Sequence, residues 1–327
     1  MITVADTLPP ALAQAVRDIE VAPDGLSATL GAEHLEADSP HKLAQQLGSA
    51  VYQMVHVGRD KPETSRPRTL RDAEFDRALT EAMPHTVTTA RAVVHERAAD
   101  GTLLAVVEGV RVLLPADAPA GPVPDVLPAQ VAVRLPAARP ALSTGFFLAD
   151  GSAGTGVGSG PQTLRVYVHV AGPEAAPGVW HAVLTYLEEA GVPYRAKITS
   201  SPRLFPRRDA LVVYLGPQGR HAVAGLAAHA TGLPGLGTDV SPFAHRLAPG
   251  VALAWEPDDG RPGMRSLSFG EHRSGALAEA LVKHAVRTDG VSLSATVEEA
   301  LMNAGIDPLA PARNLGSPPL PGAGLPL

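Results

Sequence analysis

Apolar and polar residues alternate along Leu164–Val170 (LRVYVHV) and again along 194–199 (YRAKIT), and a third strand pattern follows at 210–215 (ALVVYL). Between the first two lies an amphipathic helical pattern over 176–190. Strand side chains alternate sides, so Arg165, Tyr167 and His169 share one face while Val166, Val168 and Val170 take the other. By the same rule Arg195, Lys197 and Thr199 lie opposite Tyr194, Ala196 and Ile198. A crossover helix on the apolar side makes the two strands parallel and close neighbours, and their polar faces then coincide. Like charges that close repel unless an anion or carboxylates sit among them.

The flanking patterns are simpler. A short helix is predicted around Leu12 to Ile19 and a hairpin at Asp24-Gly25. Ser39-Pro40 opens a helix with the buried stripe Leu43, Leu47, Val51 and Val55. Residues 58–69 read as a surface loop, 70–83 as a helix with Ala73, Leu79 and Ala82 inward, and 91–149 as mainly β. Further on, helices are predicted over 220–230 and 268–286, with a strand over 247–255 between them. Thr296 with Glu299 resembles a capping box for a last helix ending at Gly305. The class is therefore α+β, with a mixed sheet in a βαβ-containing C-terminal domain. Residues 1–149 form an N-terminal α+β domain, 150–162 a Gly-rich linker or flap, 163–313 the C-terminal domain, and 314–327 a tail without periodicity.

Composition narrows the chemistry. The chain has 327 residues, enough for two domains with cores of their own. A net charge of −6 removes the broad basic footprint of a nucleic-acid binder, so any anion site is local. With 0 cysteines there are no disulfides, thiol nucleophiles or thiolate metal sites. No signal peptide or membrane-length apolar run is legible, and cytoplasmic residence is the expectation.

The glycines at 154, 156, 158 and 160 fit neither G-x-G-x-x-G nor the Walker pattern, and they precede a strand instead of opening a helix. Ser268 to Arg273 (SFGEHR) places His272 and Arg273 in a helix first turn, where cations oppose the helix dipole and an anion or acidic neighbour would help. Arg165, Arg195, Lys197 and His169 are either the solvent face of an ordinary sheet or a local anion site; the absence of acids within the two strands favours neither decisively. No H-E-x-x-H, EF-hand, G-x-S-x-G or kinase signature occurs.

The order RVYVHV, GVPYRAKI, RRDALVVYL, APGVALA, FGEHRSGALAEAL and NAGIDPLAPARN resembles the HopA-type effector family, over residues 130–314 and more weakly at 40–56 and 70–83. FGEHR with the preceding APGV is its most specific part. Actinobacterial proteins of this kind resemble the lyase components of split class V lanthipeptide or thioamitide biosynthesis, which work beside a kinase-like partner protein. The resemblance implies a phosphothreonine/phosphoserine lyase that β-eliminates phosphate from a phosphorylated precursor peptide to give dehydroalanine or dehydrobutyrine, without metal or organic cofactor. By analogy with phosphothreonine lyases it implies Lys197 as base and His169, then His272, as general acid. Arg165, Arg195 and Arg273 become the phosphate clamp with Arg246 as an addition, and Tyr167 orients the peptide or stabilises the transition state. It further suggests that the N-terminal half carries the precursor's leader or contacts the kinase. The competing expectation is a non-catalytic phosphopeptide- or precursor-binding scaffold, or an effector-like module, which needs the arginines but neither Lys197 nor His169.

Overall fold

The computed structural model describes residues 8–62, 71–157 and 160–321. Helix α1 (Pro10–Arg17) leads into an antiparallel sheet of β1 (Ile19–Val21), β2 (Ser27–Leu30) and β3 (Glu33–Glu36). Ser39 caps α2 (Pro40–Val51) by accepting from the Lys42 N–H, with Pro40 in the first turn. Leu43, Leu47, Val51 and Val55 are buried as their spacing predicts, and α2 runs on into a π-helical turn, Tyr52–His56. Asp72 caps α3 (Ala73–Glu81), where Phe75 and Leu79 face inward while Ala73 is exposed. Most of the predicted loop at 58–69 lies outside the described residues.

A small lobe follows, made of β4 (Val87–Arg97), β5 (Leu103–Val107), β6 (Val110–Leu114) and β7 (Ala129–Pro136) in the order β6-β5-β4-β7. Its own core gathers Ala92, Val94, Leu103, Ala105, Leu114 and Val133. The chain then builds the large sheet: β8 (Ala138–Ser143), β9 (Phe146–Asp150), β10 (Leu164–Val170), α4 (Ala176–Glu189), β11 (Arg195–Thr199), β12 (Arg207–Leu215), α5 (Val223–Ala230), β13 (His245–Ala248) and β14 (Val251–Trp255). Helices α6 (Phe269–Ala285) and α7 (Leu293–Asn303) complete it. The class is α+β.

The large sheet has the order β13-β14-β10-β12-β11-β9-β8, and every pairing in it is antiparallel. Strands β10 and β11 run parallel to each other and are close neighbours, with α4 between them in sequence, but β12 folds back and inserts between them, giving a split βαβ unit and an antiparallel sheet in place of the expected mixed one. Helix α4 covers the apolar face, where Trp180 meets Phe147 edge-on with ring centroids 6.1 Å apart. Helices α2 and α6 pack together and bring α6 and the π-helical turn onto the opposite face, where Phe269 lies 5.8 Å from Tyr167.

The division of the chain differs from the sequence reading. Residues of α1, α2 and α3 share one core with β10, β12, α4 and α6, so the main body takes in residues on both sides of the β4–β7 lobe, which has a core of its own. Strands β8 and β9, read as N-terminal, pair into the large sheet through β11. The Gly-rich segment consequently joins two strands of a single sheet. It is pinned to the end of that sheet: Gly151 N–H donates to the Tyr194 carbonyl and Tyr194 N–H to the Gly154 carbonyl. Gly156 (φ +59°) passes so close to Gly216 that a Cβ there would stand 1.8 Å from the Gly156 oxygen. Part of the tail is also structured, since Asn314 and Leu320 are buried and Trp255 Nε1 donates to the Pro318 carbonyl; 322–327 lie outside the described residues. Helix α7 is capped by Ser292, with Thr296 donating back to the Ser292 carbonyl, while the true capping box is Ser268 with Glu271 on α6. Among the described residues no helix is long and apolar enough to cross a membrane.

Candidate functional site

Antiparallel register keeps directly opposed residues on one face, so inserting β12 preserves the predicted coincidence of polar faces. One row across the sheet reads Arg246, Ala252, Tyr167, Val212, Lys197, Leu148; the next reads Ala254, Arg165, Tyr214, Arg195, Asp150. Carboxylates from neighbouring elements sit among the cations, as repulsion demands. Arg165 Nη2 donates to Glu256 Oε1 at 2.6 Å, its Nε also contacts Glu256, and Arg195 Nε donates to Asp150 Oδ1 at 2.6 Å. Glu256 lies just beyond the end of β14 and Asp150 ends β9, so neither appears in the alternation of β10 and β11.

Lys197 is different. Its Nζ stands 4.1 Å from the centre of the Phe146 ring and 5.8 Å from that of Tyr214, with no hydrogen bond or ion pair among the described residues. It also lines two spaces at once. One is a cavity of about 140 Å3 closed by the π-helical turn and the first turn of α6, lined by Tyr52, His56, Phe146, Arg165, Tyr167, Asp209, Ser268, Gly270 and Glu271. The other is a groove of about 1120 Å3 bounded by β4, the turn after β5, and the Gly-rich loop, with Arg195, Tyr214 and Glu256 on its floor.

Sequence reasoning missed His56, Tyr52 and the Arg207–Asp209 pair. His56 Nδ1 is 2.8 Å from Ser241 Oγ, which also accepts from Phe243 N–H. The tautomer with its proton on Nε2 lets Ser241 donate to Nδ1 and faces that proton toward Asp209 Oδ2, 3.8 Å away, beside Gly270, where a Cβ would come within 2.6 Å of Nε2. Asp209 accepts from Arg207 Nε and Nη2 at 2.8 and 3.0 Å, and Arg207 Nη2 also donates to the Tyr52 hydroxyl. Burial raises the Tyr52 phenol to about 12, and burial raises Tyr167 as well, so both stay protonated near neutrality. The Tyr167 hydroxyl is buried beside Arg165, with no partner in hydrogen-bond geometry among the described residues. The available signal was the polar pair Tyr52 and His56 on the flank of an otherwise apolar helical stripe.

Burial lowers His56 from 6.5 to about 4. The unfolded chain then binds more protons than the folded one between those values, so this histidine's contribution is whole above about pH 6.5 and is lost as pH falls toward 4, by up to about 3 kcal/mol. Urea midpoints measured across that window are expected to fall less steeply in His56→Gln than in the parent. Superimposable profiles would show that His56 is not held neutral. His169 and His272, also lowered by burial, contribute with the same sign in both proteins.

The remaining predicted residues lie elsewhere. His169 shares the face but sits beyond a register shift, under the loop at Gly237, with Nδ1 3.0 Å from the Asp239 carbonyl and no part in lining the cavity. His272 is buried between Asp259 (Nε2 to Oδ2, 2.9 Å) and Arg273. The predicted acidic neighbour of the α6 first turn is thus Asp259. Arg273, expected in the phosphate clamp, is fully buried and lines neither space. Its guanidinium is taken up by the carbonyls of Pro311 and Arg313 and by Asn314 Oδ1, and so fastens the segment after α7. Arg246 is exposed on the edge strand β13 and lines neither space. Among the described residues no group of three or more His, Asp or Glu is placed to hold a metal.

Residues 137–313 match the HopA1 effector protein family. No curated protein matches the chain. Among solved structures it is similar to the effector protein from Pseudomonas syringae pv. tomato strain DC3000, at 14% identity and a TM-score of 0.46, covering 84% of this chain and 95% of that one. A second is the effector protein from Pseudomonas syringae pv. syringae strain 61, at 13% identity and a TM-score of 0.45, covering 84% and 93%.

Proposed function

We propose, from the premise that this chain belongs to the HopA1 effector protein family, that it is a phosphoserine/phosphothreonine lyase acting on a peptide. The observation that carries this reading is Lys197, an amine with no hydrogen bond or ion pair among the described residues that lines both a small cavity and a peptide-sized groove. A phosphorylated side chain entering the cavity from the groove brings its Cα to that amine. Lys197 Nζ takes the α-proton, the C–H electron pair becomes the Cα=Cβ double bond, and the Cβ–O bond breaks with its electrons leaving on phosphate. The products are dehydroalanine or dehydrobutyrine and inorganic phosphate.

The leaving group gains charge as it departs, and groups that stabilise charge only then lower the barrier. Arg165, the Tyr167 hydroxyl, His56 and Gly270 in the first turn of α6 line the cavity. In this reading His56 and Tyr167, both neutral near pH 7, are hydrogen-bond donors to the departing phosphate, in the place the resemblance gave to His169 and His272. Arg165 and Arg207 keep Glu256 and Asp209 as counterions, which lets the empty cavity remain folded.

Such an enzyme consumes the product of a protein-kinase-type reaction, so a ready-made phosphopeptide is the direct probe. Incubating the purified protein with a synthetic phosphothreonine peptide is expected to give a product lighter by the elements of phosphoric acid, with a dehydrobutyrine residue that adds thiols. A hydrolysed peptide bearing threonine would identify a phosphatase instead, and peptide that binds but is recovered unchanged would favour the scaffold reading.

A further inference from the structure

The floor of the groove holds a second charged cluster, two residues along β11 from Lys197. Two guanidiniums there share one carboxylate: Arg195 Nε and Nη2 lie 2.6 and 3.1 Å from the Asp150 oxygens, and Arg139 Nη2 lies 3.2 Å from Asp150 Oδ2. Asp150 is fully buried, and Arg139 Nε is buried without a hydrogen-bond partner. The three side chains therefore present one uncompensated positive charge to the groove.

In the structure that charge is met from the other lobe. Glu108 reaches across from the hairpin turn between β5 and β6, its Oε2 3.3 Å from Arg195 Nη2. The contact is half-exposed and open to competition, since exposed ion pairs hold weakly. Nor does the turn call for this residue: Glu108 (φ 49°) and Gly109 (φ 80°) form the left-handed pair of a two-residue hairpin turn, a backbone that suits Asn, Asp or Gly at the first position. Glu108 carries backbone strain while placing a carboxylate on Arg195.

We propose that the Arg139–Arg195 pair is a subsite for an acidic side chain of the substrate peptide, and that Glu108 occupies it in the free protein as an internal stand-in. This rests on the peptide-lyase reading of the adjoining cavity and adds a sequence preference to it. Arg195 and Lys197 are two residues apart on one strand face, about 7 Å, and an extended peptide advances about 3.3 Å per residue. The acidic side chain thus falls two residues from the phosphorylated one. Its binding releases Glu108 and frees the β5–β6 turn from the floor of the groove.

The test uses short Ala/Ser-based peptides in which a methylene replaces the bridging oxygen of phosphothreonine, so that phosphate cannot be eliminated. Each carries Glu or Gln at one flanking position, and dissociation constants are read by fluorescence anisotropy. Glu is expected to bind roughly two- to fivefold tighter than Gln when placed two residues away on one side, and not at the adjacent position. Glu108→Gln, a change at an exposed turn, is expected to widen that ratio, and Arg195→Gln to erase it. Equal affinity for Glu and Gln peptides at every position, or a preference untouched by both substitutions, overturns the subsite while leaving the lyase reading intact. Failure of every phosphonate peptide to bind overturns both.

Discussion

Lys197→Ala is expected to slow phosphate release from a phosphothreonine peptide by roughly 10²- to 10⁴-fold, the usual contribution of a positioned general base. The effect belongs to the amine's lone pair and not to its charge, so Lys197→Arg, which keeps a cation over Phe146 but cannot give up its proton at neutral pH, is expected to be nearly as inactive. Both variants should still bind the non-eliminable phosphonate peptide, because Arg165, Tyr167 and the start of α6 remain. Single-turnover rates measured with saturating peptide separate the two effects. If Lys197→Arg keeps most of the activity, the lysine is a phosphate contact and the base lies elsewhere. If both variants match the wild type, the cavity is not the reaction site.

Arg273→Ala is expected to cost about 3 to 5 kcal/mol of stability, among the largest losses available to a single substitution here. The side chain satisfies the carbonyls of Pro311 and Arg313 and the amide oxygen of Asn314, and it stacks 4.8 Å from the centre of the Phe269 ring. Removing it strands buried acceptors and loosens the segment that Asn314 ties to the Glu256 carbonyl. Burial has already lowered the guanidinium to about 9, a sign of how little water reaches it. Denaturant titration of Arg273→Ala beside Arg246→Ala gives the comparison, since the exposed edge-strand arginine is expected to change stability by less than about 0.5 kcal/mol. A small loss for Arg273→Ala, accompanied by weakened phosphonate-peptide binding, would return Arg273 to the phosphate-binding residues.

The sequence by itself determined whatever depends on local periodicity. Two-residue alternation put Arg165 with Tyr167 and Arg195 with Lys197, and the register through β12, where Tyr214 opposes both Arg165 and Arg195, keeps the two pairs on one face. Spacing likewise determined α2, α4 and α6, and side-chain caps at Ser39 and Ser268 mark the starts of α2 and α6. What tertiary structure decided is everything that depends on which distant groups meet. Strand alternation in β10 and β11 carries no trace of Glu256 or Asp150, which arrive from β9 and the end of β14 to neutralise the arginines. Nor does the amphipathic stripe of α2 reveal that its π-helical continuation delivers His56 to a glycine on α6. The arginine of FGEHR reads as an anion ligand in a helix first turn, yet packing turns its guanidinium inward onto three acceptors more than thirty residues away in the chain. Periodicity fixes the face on which a side chain emerges, and only the packed fold fixes what stands opposite it.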